Sequence, residues 1–256
     1  MIRSGLCSVT FRQLEPARVV ALTAAAGLEV IEWGGDVHVP AGDVARAAEV
    51  ARQTADAGLA VASYGSYFRA TEGEEIAPVL DAAEALGADR IRVWAGQVGS
   101  ADASDAQRRA TAERLRAAAS DAAARGIALA LEFHGGTLTD SAASTRHLLA
   151  AVDHPALTTY WQPRVDAEDD DALADYAALS DRVSAAHVFS WWPAGERLPL
   201  AARDALWRRF FTAASAAGHP PRDALIEFVP DDDPAVLGRE AATLRSWIDA
   251  ASRLGA

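Results

Sequence analysis

The chain has 256 residues, of which 50% are hydrophobic and 23% charged, which is typical of a globular protein. Its formal net charge of −12 argues against nucleic acid as a partner, because binding a phosphate backbone needs a dense basic surface. All 24 basic residues are Arg and no Lys is present, so enzymes that form a Schiff base through lysine are excluded.

The N-terminal segment, MIRSGLCSVTF, has the character of a first strand and lacks the cleavage site of a signal peptide. No window is long and apolar enough for a membrane span. Cys7 is the only cysteine, so neither an internal disulfide nor a cysteine-based metal site is expected. We therefore expect a cytoplasmic protein with no membrane partner, and we interpret Cys7 as a small buried residue.

Eight short apolar segments alternate with longer segments rich in Ala, Arg and Glu. The short segments have the length of strands: IRSGLCSV, LEVIEW, LAVASYG, RIRVWAG, IALALEF, LTTYWQ, VSAAHVF and ALIEFV. The longer segments, such as VARAAEVARQTADA, have helical spacing. Several of them end in Gly before the next strand, as at Gly27, Gly58 and Gly126.

Strict alternation of strands and helices predicts a parallel sheet. Eight strand–helix units in a chain of this length predict an α/β fold, a single (β/α)8 TIM barrel over residues 1–256. The alternative is an open doubly wound sheet. Such a sheet would carry a glycine-rich phosphate-binding sequence after its first strand, and SVTFRQLEP contains none.

In a (β/α)8 barrel the active site is formed by the carboxyl ends of the strands. The fifth segment ends in Glu132 and the eighth in Glu227, and a buried carboxylate is costly unless it is paired or binds a metal. Gln162 and His187 lie at the ends of the sixth and seventh segments. These four residues predict a site for a divalent ion such as Mn²⁺, Mg²⁺, Co²⁺ or Zn²⁺. The alternatives are salt bridges from the glutamates to rim arginines and a core role for His187.

Other polar and aromatic residues near the predicted strand ends are candidates for substrate contact. Aromatic rings suit stacking on the apolar face of a sugar or polyol, although most aromatic residues in a barrel simply pack. An arginine in this region could hold an anionic group. The candidate substrate-binding residues are His38, Tyr64, Trp94, His134, Trp192 and Arg197. The remaining histidines, His147, His154 and His219, are interpreted as structural or solvated.

The order and spacing of four motifs resemble the sugar phosphate isomerase/epimerase family, the xylose isomerase-like TIM barrels. The motifs are IEWGGDVHV, LALEFHGG, AAHVFSW and ALIEF. By position, the resemblance implies that Glu132 and Glu227 bind metal and act as acid and base, and that His187 is a metal ligand. Gln162 stands where the family usually has Asp, and Val165 where it has a His that contacts substrate. Gln can ligate through its amide oxygen, but the lost charge should weaken binding of a divalent ion.

The resemblance implies a metal-dependent isomerase or epimerase of a small sugar, keto-sugar or polyol. Glu132 and Glu227 would exchange a proton while the ion stabilises an enediolate. A lyase that dehydrates an inosose-like keto-polyol, or that cleaves a modified sugar, would share the first step. A third alternative is a catalytically weakened sugar-binding or partner subunit, which the residues Gln162 and Val165 would suit. Because barrels of this kind often pair, a homodimer is also expected.

Overall fold

Eight parallel strands close into a barrel, as the alternation predicts. A computed structural model describes residues 2–216, 218 and 221–254. The barrel strands run in the order β1-β10-β7-β6-β5-β4-β3-β2, and a short hairpin, β8–β9, lies outside the barrel. The strands are β1 (Arg3–Cys7), β2 (Val30–Gly34), β3 (Ala60–Gly65), β4 (Arg90–Val93), β5 (Ala128–Leu131), β6 (Leu157–Trp161), β7 (Val183–Val188), β8 (Ser190–Trp191), β9 (Arg197–Leu198) and β10 (Asp223–Ile226).

Helices connect successive barrel strands and surround them. They are α1 (Pro16–Ala25), α2 (Val44–Asp56), α3 (Ala77–Leu86), α4 (Asp105–Ala124), α5 (Ala142–Val152), α6 (Asp169–Leu179), α7 (Asp204–Ala216) and α8 (Leu237–Leu254). Over the described part of the chain, every helix is too short or too polar to cross a membrane.

Local sequence signals set the ends of several helices. The Asp43 side chain accepts a hydrogen bond from the Arg46 amide at the start of α2 (3.0 Å), and Ser104 and Gln107 form a capping box at the start of α4. Gly27, Gly58 and Gly126 follow α1, α2 and α4 with φ of 69°, 73° and 73°. Since glycine adopts these left-handed conformations without a Cβ clash, the predicted ends of these helices are confirmed.

A buried ion-pair cluster closes the amino-terminal end of the barrel. Asp223 on β10 is fully buried and pairs with Arg90 on β4, on the opposite side of the barrel. Arg3 and Arg222 also contact the Asp223 carboxylate, at 2.7 and 3.2 Å. The Arg90 guanidinium lies 5.0 Å from the centre of the Tyr160 ring. These side chains fill the barrel floor and leave the opposite end for a site.

Aromatic residues between β6 and the outer helices form a second packed layer. Trp161 stacks on Phe210 of α7, with ring centroids 4.6 Å apart, and packs edge-on against Tyr176 of α6 at 5.4 Å. Trp161 is therefore part of the outer core and does not lie at the open rim. Its strand neighbour Tyr160 points into the barrel, and alternation along the strand then directs Trp161 outward.

Small residues also face the interior of the barrel, and Gly5 on β1 has the closest neighbours of the described glycines. A Cβ at Gly5 would lie 2.5 Å from Val30 Cγ2 and 2.6 Å from Leu225 Cδ2, on the two neighbouring strands. Both neighbours are buried, so they have little room to move.

We predict that Gly5→Ala lowers the free energy of unfolding by about 1–3 kcal/mol, because it overpacks the barrel interior. Thermal unfolding followed by circular dichroism measures this as a fall in melting temperature. Gly238→Ala in α8 is the matched control, since apart from its chain neighbours and its own helix backbone no atom lies within 4 Å of that Cβ position. Equal melting temperatures for the two variants would contradict the packing argument.

Candidate metal and substrate site

A cavity of about 540 Å³ opens at the carboxyl ends of the barrel strands. Its walls include Arg92, Glu132, Gln162 and Glu227, which come from or directly follow β4, β5, β6 and β10. The cavity therefore lies where the barrel fold places active sites.

His187 stands at the centre of the polar groups below this cavity. The imidazole is fully buried on β7, and its Nδ1 lies 3.0 Å from Gln162 Oε1 and 3.4 Å from Glu227 Oε2. Glu132, His187 and Glu227 each offer one ligand atom, and these atoms lie within 4.8 Å of one another. The structure thus gathers the four residues predicted as metal ligands around one point.

A second set of charged groups backs this cluster. Arg92 on β4 donates through Nη1 to Glu132 and through Nε to Glu32 Oε1 on β2 (3.0 Å). All three side chains are buried. Glu132 therefore does form a salt bridge, one of the alternatives raised by the sequence, but to an arginine inside the barrel and not at the rim.

The buried charges shift the ionisation of the site. Burial opposes the charged form of every group, but Arg92 and the His187 imidazole keep the pKa of Glu32 below its usual value. Burial likewise opposes ionisation of Glu227, but His187 and Arg92 lower the pKa of its carboxyl. Burial opposes protonation of His187, but the Glu227 carboxylate beside the ring contributes to a pKa of the imidazole well above its usual value. Cys7 itself is an inert thiol, since burial raises its pKa to about 12.

The donor set fits a divalent ion. In an octahedral site with bonds of about 2.1 Å, adjacent ligand atoms lie about 3 Å apart. The distances from His187 Nδ1 to Gln162 and Glu227 match that separation. The charge of the site also fits a divalent ion. Three carboxylates, Glu32, Glu132 and Glu227, face one positive charge on Arg92, which leaves two negative charges. A divalent ion bound to a neutral His187 imidazole would offset both. Binding would displace a proton from Nδ1.

Two of the predicted substrate-binding residues line the cavity, and a third lies at its mouth. The Trp94 and His134 rings are 4.6 Å apart in the cavity wall. Arg197 on β9 lies over the rings of Phe228 (4.0 Å) and Trp191 (5.3 Å), which are cavity residues, and pairs with Asp232.

The other three predicted substrate-binding residues face away from the cavity. Tyr64 is fully buried and donates to the Val39 carbonyl (2.8 Å), because its strand neighbour Ser63 takes the inward position on β3. Trp192 lies against Arg203, since Trp191 before it faces the cavity. These two placements correct the sequence-based assignment.

His38 is also removed from the cavity by its hydrogen bonds. Its Nδ1 is 2.9 Å from Ser8 Oγ and its Nε2 is 3.0 Å from the Leu14 carbonyl, so both ring nitrogens already have partners. Only 1% of the residue is exposed. The imidazole therefore ties the β2–α2 loop to the β1–α1 loop. Among the other histidines, His147 is on α5 and His154 follows it, whereas His219 lies outside the described residues.

Sequence reasoning missed the role of Arg92 and passed over Glu32. A signal was available, because Arg90 and Arg92 alternate with apolar residues in a strand of the barrel. A buried arginine inside such a strand needs an acidic partner as much as a buried carboxylate needs a cation. Trp191 and Arg12, which also line the cavity, lie in segments without a periodic pattern.

The fold and the buried carboxylate–imidazole cluster define a (β/α)8 barrel with a divalent-ion-compatible site. The family model described as xylose isomerase-like TIM barrel matches residues 20–218, and the chain belongs to this family.

Several known proteins are similar to this chain. A 3-dehydroshikimate dehydratase of Bacillus anthracis is 44% identical over 69 residues, a match that spans 27% of this chain and only 25% of that protein. The solved structure of a probable 3-DHS dehydratase from the same organism superimposes with a TM-score of 0.79 at 21% identity, covering 96% of this chain and 99% of that one.

Other solved structures share the fold with different reported chemistry. A xylose isomerase-like barrel protein of Mycobacterium smegmatis in complex with magnesium has a TM-score of 0.76 at 17% identity, covering 98% of both chains. A 3-keto-D-glucoside 4-epimerase of E. coli has a TM-score of 0.74 at 17% identity, covering 96% of this chain and 100% of that one. At these identities the structural likeness establishes the fold.

We predict that Gln162→Asp tightens Mn²⁺ binding on the order of tenfold, because the number of charged ligands sets the affinity of such a site. Isothermal titration calorimetry on metal-stripped protein measures the dissociation constant. Gln97→Asp, in the exposed β4–α4 loop, adds the same charge away from the site and is the control. If both variants bind Mn²⁺ as the parent chain does, Gln162 is not a ligand.

Proposed function

We propose that this protein is a divalent-metal-dependent lyase that removes water from a cyclic, polyhydroxylated ketone of the 3-dehydroshikimate or inosose type. The observation that carries the proposal is the meeting of Glu132, His187, Glu227 and Gln162 below one open cavity, with Arg92 against Glu132. The similarity to 3-dehydroshikimate dehydratases supports the dehydration outcome.

The metal site would be formed by Glu132, Gln162, His187 and Glu227. A bound divalent ion supplies Lewis acidity that stabilises the negative oxygen of an enolate. Trp94 and His134 in the cavity wall provide surfaces for the substrate ring, and Arg197 at the mouth lies where it could meet an anionic substituent.

Glu132 is the residue proposed to move the proton. Its carboxylate takes the proton from the carbon next to the ketone, and the electron pair of the broken C–H bond forms the enolate. The enolate electrons then expel the hydroxyl group from the β-carbon, and Glu132 returns the proton to the leaving oxygen. The products are a conjugated enone and one water molecule, and the glutamate is regenerated.

The partners of the two glutamates favour elimination over epimerisation. An epimerase that uses two glutamates needs one to remove a proton and the other to hold one ready on the opposite face. Here Glu132 contacts the Arg92 guanidinium and Glu227 faces the His187 imidazole, so both are placed beside groups that stabilise a carboxylate. A single-base elimination needs no stored proton.

Epimerisation or isomerisation of a sugar is the second candidate function. It shares the enolate-forming step, and solved structures of an L-ribulose 3-epimerase and a 3-keto-D-glucoside 4-epimerase have the same fold. The two candidates differ only in the product, so product analysis separates them.

We predict that Glu132→Gln lowers the dehydration rate by about a thousandfold, because a single general base contributes about 10²–10⁴ in rate. Glu227→Gln should cause a loss of at least about a hundredfold through the metal site. The assay incubates Mn²⁺-loaded protein with 3-dehydroshikimate or an inosose and follows conjugated absorbance and loss of water by mass spectrometry. Glu240→Gln, a buried glutamate on α8, is the control.

Running the same incubation in D₂O, and following deuterium uptake by mass spectrometry, distinguishes the candidate functions. If the parent chain incorporates deuterium next to the ketone and forms an epimer without losing water, its function is epimerisation and not dehydration. Glu132 and Glu227 variants that exchange deuterium at the parent rate would refute the shared mechanism.

We further predict that Trp94→Ala raises KM about threefold to tenfold by removing a stacking surface. Trp192→Ala should leave KM unchanged, since Trp192 lies on the far side of the β8–β9 hairpin against Arg203. Steady-state kinetics of the dehydration assay compares the two. A larger rise in KM for Trp192→Ala than for Trp94→Ala would mean that Trp192, and not Trp94, lines the substrate cavity.

A further inference from the structure

Glu32 is a buried carboxylate that has no direct place in the proposed reaction. It is 2% exposed and lies on β2, across the barrel from the proposed metal ligands. Its two oxygens nevertheless contact four other side chains, from β1, β3, β4 and β7. A carboxylate with this many buried partners fixes the positions of whatever it contacts.

One of those contacts orients the base. Glu32 Oε1 accepts a hydrogen bond from Arg92 Nε at 3.0 Å, and the same guanidinium donates through Nη1 to Glu132. Ser63 Oγ donates to Glu32 Oε2 at 2.7 Å and holds the second oxygen in place. Glu132 therefore has its orientation set through Arg92 by Glu32.

The other contact orients the imidazole. His187 Nε2 is buried and forms no hydrogen bond, but it lies 3.4 Å from Glu32 Oε1, close enough for a charge contact, while Nδ1 faces Gln162 and Glu227. A carboxylate beside one ring nitrogen keeps the proton on that nitrogen and leaves the lone pair of the other for a metal.

We propose that Glu32 is a positioning residue that holds both His187, with its proton on Nε2, and Arg92, which in turn holds Glu132. This inference rests on the divalent-ion site of the proposed function, but not on the reaction catalysed there. Within the motif IEWGGDVHV the sequence predicts a role only for His38, as a substrate contact. The proposal adds a role for Glu32 of the same motif.

Cys7 and Glu32 could instead form a second metal site on the Nε2 side of His187, because the ligand atoms of these three residues also lie within 4.8 Å of one another. The geometry disfavours this. The Arg92 guanidinium already occupies Glu32 Oε1, so a second cation would lie beside a fixed positive charge in a buried region.

The test compares Glu32→Gln with Glu240→Gln, since both parent glutamates are buried and only Glu32 contacts the site. Calorimetry with Mn²⁺ on metal-stripped protein should show binding weakened about tenfold to a hundredfold in Glu32→Gln and unchanged in Glu240→Gln. Thermal unfolding of both variants checks that each is folded. Glu32→Asp, which keeps the charge, should recover part of the affinity.

A spectroscopic measurement separates positioning from general destabilisation. In Zn²⁺-loaded parent protein, ¹⁵N NMR of the His187 ring should show the proton on Nε2 and the metal on Nδ1. In Glu32→Gln the Nε2 proton signal should broaden or shift as its partner loses charge. Equal Mn²⁺ affinity in Glu32→Gln and the parent chain, with an unchanged His187 signal, would overturn the proposal.

The outcomes for the two proposals are distinct. A parent chain that binds Mn²⁺ but removes water from neither substrate refutes the dehydratase function and leaves the role of Glu32 standing. A parent chain that binds no Mn²⁺ overturns the positioning role, because no metal ligand is then oriented. Binding of two ions per chain, with a thiolate charge-transfer band on Cd²⁺ addition that Cys7→Ser removes, would favour the second metal site instead.

Discussion

The constraint on which the upper half of the barrel depends is the burial of one guanidinium between two carboxylates. Arg92 is surrounded by barrel wall, so it is stable only with acidic partners, and Glu32 and Glu132 supply them. Together with Glu227 this leaves an excess of negative charge on buried side chains at the base of the cavity. The same excess that would destabilise an apolar core suits the divalent ion of the proposed function. Stability and function thus draw on one set of charges.

The fold was predictable from sequence because its signals are periodic and repeated. Each barrel strand is a short apolar run, and several of the helices that precede them end at a glycine whose φ is positive, as at Gly58 and Gly126. The β8–β9 hairpin was not predictable. Its strands have two residues each and lie in a segment with Pro and Gly, so they carry no period. Such a hairpin is defined by its contacts with neighbouring segments, among them the short 3-10 helix Leu200–Arg203, whose Leu200 carbonyl accepts a hydrogen bond from Ser190 Oγ.

The site was only partly predictable, and the division has a physical reason. Glu132, Gln162, His187 and Glu227 end strands that meet at one edge, so position along the strand sufficed to group them. Tyr64 and Trp192 each have a neighbour, Ser63 and Trp191, that faces the interior instead. The residue types of such a pair do not show which of the two points inward. Arg92 signals a need for acidic partners, but the sequence alone does not say which ones, because Glu32 and Glu132 are 60 and 40 residues away in the chain and only the folded barrel brings them to Arg92.

The ion-pair cluster around Asp223, at the amino-terminal end of the barrel, limits the routes by which small molecules can reach the cavity. Arg90 crosses the barrel to Asp223 and packs on Tyr160, so these buried side chains close the floor of the barrel. Under the proposed function, substrate and products would therefore enter and leave through the cavity at the other end, past Trp94 and the β8–β9 hairpin. Binding of one molecule and release of another would then use the same entrance, and the two events could not occur at once. For the proposed function this would make product release a step that has to precede binding of the next substrate.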